Sequence, residues 1–152
     1  MGAIHLRLRR RKLTVAAAES CTGGLLAAVL TAHGGASDYF RGGAVVYSNE
    51  AKTILADVAP DLIHGHGAVS SVVAGALARG ARGRLGAKIG LGITGIAGPG
   101  GASPGKKVGL TYVAVDSDEH SAVKKYEWPY DREGNRLASV GAALDLLEKA
   151  TE

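Results

Sequence analysis

The run Ala18-Glu19-Ser20-Cys21-Thr22-Gly23-Gly24-Leu25-Leu26 joins two apolar segments, Leu13-Thr14-Val15-Ala16-Ala17 before it and Leu25 to Leu30 after it. The first reads as a strand over 13–18. In the second, Leu25, Leu26, Val29 and Leu30 are spaced as one helix face. That spacing predicts a helix from about Thr22 to Ala32, stopped by Gly34-Gly35. A strand thus ends where a hydroxyl, a thiol and two glycines begin. Such a junction lies at the mouth of a sheet, and the helix after it opens with unpaired backbone N–H groups. Ser20 has two readings there: a helix cap, or a nucleophile whose oxyanion those N–H groups would meet.

Outward from this junction the pattern alternates. Gly43 to Ser48 reads as a strand, followed by a helix capped by Asn49 and ending near Pro60. Ser70 caps a third helix running toward Leu85. Lys88 to Thr94 reads as a continuous apolar strand, with Ile89, Leu91 and Ile93 alternating with glycines. A glycine- and proline-rich loop, 95–105, leads to strands at 108–115 and 122–128, joined by a turn over 116–120 as an antiparallel hairpin. Leu137, Val140, Leu144 and Leu147 mark a last helix starting after Asp131. Residues 1–12 read as the remnant of a short helix. The sum is a three-layer α/β/α single domain with a mixed sheet that includes a C-terminal antiparallel hairpin. No repeat or linker is visible.

Composition narrows the classes of function. The chain has 152 residues, 46% hydrophobic and 21% charged, as expected of one globular domain with a proper core. Five tyrosines, one tryptophan and one phenylalanine leave little for stacking bases, which argues against a single-strand nucleic-acid platform. The net charge of +4 owes much to Arg7, Arg9, Arg10, Arg11 and Lys12. That run reads as a solvated helix face, with attraction to nucleic acid or an anionic substrate the weaker reading. The single cysteine, Cys21, excludes an internal disulfide and suits a reducing compartment. No apolar stretch reaches the ~18 residues of a membrane span, and no signal-peptide core follows the N-terminal charges. A cytoplasmic protein with no membrane partner is expected.

Three stretches at element ends carry candidate chemistry. Ser20 is the first. In Tyr47-Ser48-Asn49-Glu50-Ala51-Lys52, a cap at Asn49 puts Lys52 in the first helical turn, where the dipole disfavours its charge. A neutral lysine can serve as a general base; an ordinary exposed lysine is the alternative. The loop after Thr94 lets backbone N–H groups approach a ligand as phosphate loops do. It lacks the Gly-Lys-Ser/Thr of a Walker loop, and a strand rather than a helix follows it. Arg132, at a helix start, also opposes the dipole, a conflict that an anion or solvent would relieve. His64 and His66 lack a third ligand at suitable spacing, so a metal site is not expected. Cys21 reads as a small buried residue rather than the nucleophile. Ser20 itself lies in neither a Gly-x-Ser-x-Gly elbow nor a Ser-x-x-Lys pair, so a Ser–Lys pair would have to be assembled from separate elements.

Four motifs come in the order and spacing of one family: Ala18 to Gly24, Tyr47 to Lys52, Gly67-Ala68-Val69-Ser70, and Thr94-Gly95-Ile96-Ala97-Gly98-Pro99-Gly100-Gly101. Over residues 13–149 the chain resembles the CinA C-terminal domain, the nicotinamide-nucleotide amidase family. The resemblance implies hydrolysis of the carboxamide of nicotinamide mononucleotide (NMN) to nicotinate mononucleotide and ammonia, without a metal or other cofactor, by a homodimer. It implies Ser20 as nucleophile, Lys52 as its base and Tyr47 beside them. Asp131-Arg132 matches the end of the family's Gly-Asp-Arg, placing Arg132 near the substrate, with Arg136 a second candidate. Thr22, Gly23, Thr94, Gly95 and Gly98 would line the pocket.

The sequence departs from the family at Ser71-Val72, where relatives often carry acidic residues, at Lys107, where proline is common, and in a short segment before the first strand. The large N-terminal domain of longer CinA proteins is absent from this sequence, and its activity is not expected here. On this reading the start of the first long helix holds the oxyanion, while Arg132 and the glycine loop hold the phosphate. The competing readings are a non-catalytic nucleotide- or partner-binding domain of the same fold and, behind it, nucleic-acid binding through residues 7–12.

Overall fold

A computed structural model describes residues 2–152. Five strands, β1 (Val15–Glu19), β2 (Phe40–Val45), β3 (Ile89–Gly95), β4 (Leu110–Ser117) and β5 (Ser121–Glu127), form one sheet in the order β2-β1-β3-β4-β5. β1 runs parallel to both β2 and β3, whereas β4 and β5 are antiparallel to their neighbours. Six α-helices cover the two faces: α1 (Gly2–Arg10), α2 (Leu25–Leu30), α3 (Asn49–Ala56), α4 (Pro60–His66), α5 (Ser71–Arg84) and α6 (Arg132–Ala150). This is the mixed three-layer α/β domain with a C-terminal hairpin that the sequence pattern gives.

The two-residue period of β1 builds both layers. Val15 and Ala17 join Leu8, Leu26, Leu30, Leu91 and Leu147 beneath α1, α2 and α6. Ala16 and Ala18 point the other way, to Val46, Val73 and Leu77 under α3 and α5. In β3 the alternation has a steric purpose. Ile89, Leu91 and Ile93 fill the first layer, while a Cβ at Gly90 or Gly92 would run into the carbonyl oxygens of Ala78 and Ala74 on α5. Glycine there lets that helix lie directly on the strand.

Several boundaries differ from the sequence reading. The helix expected over 22–32 is reduced to α2, because Gly23 and Gly24 take positive φ values of 60° and 98° that no helix contains. β2 occupies 40–45 rather than 43–48. The Val46 N–H still donates to the Glu19 carbonyl at 2.8 Å, but the carbonyls of Val46, Tyr47 and Ser48 turn toward one lysine amine. Ser48, not Asn49, caps α3, accepting from the Ala51 N–H at 3.0 Å. Pro60 opens α4 at its first position rather than merely ending the helix before it.

The N-terminal segment is a full helix, anchored by buried Ile4 and Leu8. Much of its basic run is used internally. Arg7 and Arg11 donate to the Glu148 and Thr151 carbonyls at the C-terminus of α6, where cations oppose the dipole's negative end. Arg9 pairs with Asp38 at 2.7 Å. Among the described residues no helix is long and apolar enough to cross a membrane.

Candidate active site

The candidate chemistry gathers at the C-terminal ends of the neighbouring parallel strands β1 and β2. After β1 the chain turns through Ser20, Cys21 and Thr22, with the Gly23 N–H closing on the Ser20 carbonyl at 3.1 Å. Ser20 does not cap the helix. Glu19, the last strand residue and 1% exposed, does so instead. Its carboxylate accepts from the Leu26 and Ala27 N–H groups at 2.9 and 2.8 Å and from the Thr22 hydroxyl at 2.6 Å. This corrects the expectation for the oxyanion: those first-turn N–H groups are occupied by a protein carboxylate. The Cys21 N–H has no acceptor among the described residues, and Cys21 borders the cavity described below.

After β2, Lys52 reaches back from the first turn of α3. Its side chain is 2% exposed, and Nζ donates to the carbonyls of Val46, Tyr47 and Ser48 at 3.0, 3.3 and 3.4 Å. It forms no ion pair with a carboxylate among the described residues. Burial lowers its pKa from the ordinary 10.5, opposed by weaker attraction to Cys21 and Glu50. Burial also pushes the Cys21 thiol up to about 11, which keeps it protonated and poorly nucleophilic at neutral pH.

Ser20, Cys21, Tyr47, Lys52, Thr94, Gly95 and Arg132 line a cavity of about 210 Å³, together with Asn49, Ala68, Val69 and Ala97. No hydrogen bond joins Ser20 to Lys52, whose Nζ is turned to the three carbonyls. The Thr94 hydroxyl is used by the Ala68 carbonyl at 2.8 Å. Tyr47 is 59% exposed at the rim, where its hydroxyl accepts from Arg132 at 3.0 Å; the same guanidinium donates to the Gly98 carbonyl at 2.8 Å.

Arg132 and Ala97 also border an adjoining, more open cavity of about 790 Å³, together with Arg136. Thr22, Gly23, Gly98 and Arg136 are not on the smaller cavity's wall. Thr22 is fully enclosed, its hydroxyl held by Glu19, and Gly23 lies beneath Arg136. A cavity of about 450 Å³ between α3 and α4 holds none of these candidates. His64, one of the two weighed as ligands, donates its ring nitrogen to the Pro60 carbonyl.

Sequence reasoning missed two polar residues that shape this region. Glu19 carried a signal, a carboxylate at the end of an apolar strand just before a glycine-led helix. Asn135 carried none, since its partners are backbone groups, one of them 38 residues away. Fully buried, it donates to the Ala97 carbonyl at 3.0 Å and accepts from the Tyr130 N–H at 3.1 Å.

The family model described as the CinA C-terminal domain matches residues 1–151. The chain belongs to that family. It is 52% identical over 142 residues to a CinA-like protein of Acidobacterium capsulatum, covering 93% of this chain and 34% of that one. A CinA-like protein of Citrifermentans bemidjiense is 47% identical over 146 residues, covering 96% and 35%. The chain therefore spans about a third of the length of the curated relatives it matches. Among solved structures, the competence/damage inducible protein CihA from Agrobacterium tumefaciens superposes with a TM-score of 0.96 at 36% identity, covering 99% of this chain and 93% of that one. A competence-damaged protein (CinA) superfamily protein from Klebsiella pneumoniae gives 0.93 at 29%, covering 97% and 92%. These names identify a family and a fold.

Proposed function

We propose that this domain is an amidase that hydrolyses the carboxamide of NMN through a Ser20–Lys52 pair. The observation that carries the reading is a buried lysine without an acidic partner on the wall of the cavity that Ser20 enters. A structural lysine is rarely enclosed without a counter-charge, whereas a lysine held toward its neutral form is a base at moderate pH.

In the proposed reaction, neutral Lys52 leaves one of its three carbonyl partners and accepts the Ser20 proton as Oγ attacks the amide carbon. The Cys21 N–H, on the residue after the nucleophile, meets the developing oxyanion; one such donor is worth roughly 3–4 kcal/mol. The Lys52 ammonium then protonates the departing amine, ammonia leaves, and an ester remains on Ser20. Water attacks that ester, its proton passing through Lys52 to the Ser20 oxygen, which regenerates the starting state. Arg132, between the two cavities, holds the substrate's phosphate, which supplies binding energy without reacting. Tyr47 closes the rim beside the reacting amide. The assembly expected from the resemblance is a homodimer, with no cofactor, in the cytoplasm.

Ammonia release from NMN by the purified protein tests this reading. Release by the parent chain and none by Ser20→Ala, with NMN binding retained, is the expected result. Ammonia release by Ser20→Ala would remove the serine role. NMN binding without turnover by the parent chain would favour a non-catalytic nucleotide-binding domain.

A further inference from the structure

Arg136 sits on the second turn of α6, half-buried, and its guanidinium reaches across to the turn that carries Ser20. Nε donates to the Cys21 carbonyl at 3.2 Å, and one terminal nitrogen donates to the Thr22 carbonyl at 2.9 Å. No carboxylate pairs with it among the described residues. One of the two guanidinium edges able to grip a phosphate with two parallel bonds is thus already engaged by two successive peptides. Arg132 differs: it is exposed on the rim, borders both cavities and has Tyr47 as one partner.

We propose that Arg136 is a positioning residue that holds the nucleophile's turn in its reactive shape, and that it does not bind the substrate's anionic group. The proposal rests on the amidase reading above. In a trans peptide the C=O and N–H point in opposite directions. Drawing the Cys21 and Thr22 carbonyls toward α6 therefore aims the Thr22 and Gly23 N–H groups away from it. The Gly23 N–H then closes on the Ser20 carbonyl. The guanidinium thereby fixes the peptide orientation on both sides of Thr22, and through it the backbone of Ser20. Glu19 holds the same turn by the Thr22 hydroxyl, so the nucleophile is braced by an anion on one side and a cation on the other. Gly23 completes the seat. Its φ of +60° suits glycine, and a Cβ there would stand 3.5 Å from the Arg136 guanidinium.

The test measures kcat and KM of Arg136→Gln and Arg136→Lys on NMN and on nicotinamide riboside, which lacks the phosphate. A lysine can attract a phosphate but cannot bridge two carbonyls. Both variants should therefore lose about 100-fold in kcat on both substrates with KM held, the scale expected when a reacting group is displaced by about 1 Å. A rise in KM for NMN alone, with riboside turnover untouched and the lysine variant restored, would overturn the proposal. Should the glutamine variant not fold, the lysine variant is read by the same criteria. If the parent chain releases ammonia from neither substrate, the amidase reading has failed, and amide hydrogen exchange decides. Loss of Arg136 must then speed exchange at the Gly23 and Leu25 N–H groups, which close on Ser20 and Thr22, while core amides stay protected. Unaltered exchange at those two positions would overturn the proposal.

Discussion

The turns that follow β1 and β2 lie side by side, and each encloses a charged side chain: Glu19 at 1% exposure and Lys52 at 2%. Their surroundings differ in kind. Glu19 accepts three good hydrogen bonds, two of them from orphan N–H groups at a helix start, the setting in which a buried carboxylate is most at home. Lys52 has only peptide carbonyls and no counter-ion. The first arrangement stabilises a shape; the second leaves a charge that burial disfavours. A buried charge whose needs are met is scaffold, and one whose needs are half met is positioned for proton transfer.

The sharpest way to break this contrast is at the nucleophile, on the turn that follows β1. Ser20→Ala should lower ammonia release from NMN by about 10⁴-fold or more with unfolding unchanged, as measured by initial rates and a thermal melt. Lys52→Met comes next, with kcat down by about 10³-fold and no recovery as pH is raised.

The same lysine should show in the pH dependence of the parent protein. Activity should climb as Lys52 loses its proton, at a pH below the ordinary 10.5 of lysine because burial lowers its pKa. Stability should follow in the same direction. Between the lowered value and 10.5 the unfolded chain binds the proton and the folded chain does not, so the fold gains stability as pH rises through that window. Denaturant titrations at several pH values should show this gain in the parent chain and not in Lys52→Met.

Glu19→Ala should act on the other side of the comparison. It should cost about 3 kcal/mol in folding free energy, because three donors lose a buried acceptor, and urea unfolding reads this directly. A loss near zero would mean that the carboxylate does not brace the turn. The smallest effect belongs to the opposite end of the sheet. Arg7→Ala with Arg11→Ala should cost about 1 kcal/mol through the C-terminus of α6 and leave kcat unchanged.

The sequence revealed the order of elements because each strand and helix buries a side with its own period. Ile89, Leu91 and Ile93 against glycines, and Leu137, Val140, Leu144 and Leu147 at helical spacing, needed no tertiary information. Element ends were less legible, since neighbours decide them: Glu19 took over the start of α2, and beyond β2 the carbonyls of residues 46–48 turned to Lys52. Ser20, Lys52, Tyr47 and Arg132 could be named from their places at element ends and from the family's motifs. Arg136 could be named but not placed, because nothing in Arg132 to Arg136 reveals that its partners are two carbonyls 115 and 114 residues earlier. Asn135 was invisible for the same reason.

A covalent ester on Ser20 is the centre of this account, and hydroxylamine tests it most directly. With NMN as substrate, hydroxylamine should compete with water for the acyl group and yield the hydroxamate of nicotinate mononucleotide. Ammonia release should continue undiminished, and Ser20→Ala should form neither product. Ammonia release without any hydroxamate, at hydroxylamine concentrations that compete with water, would mean that water attacks the amide directly and would contradict the serine mechanism.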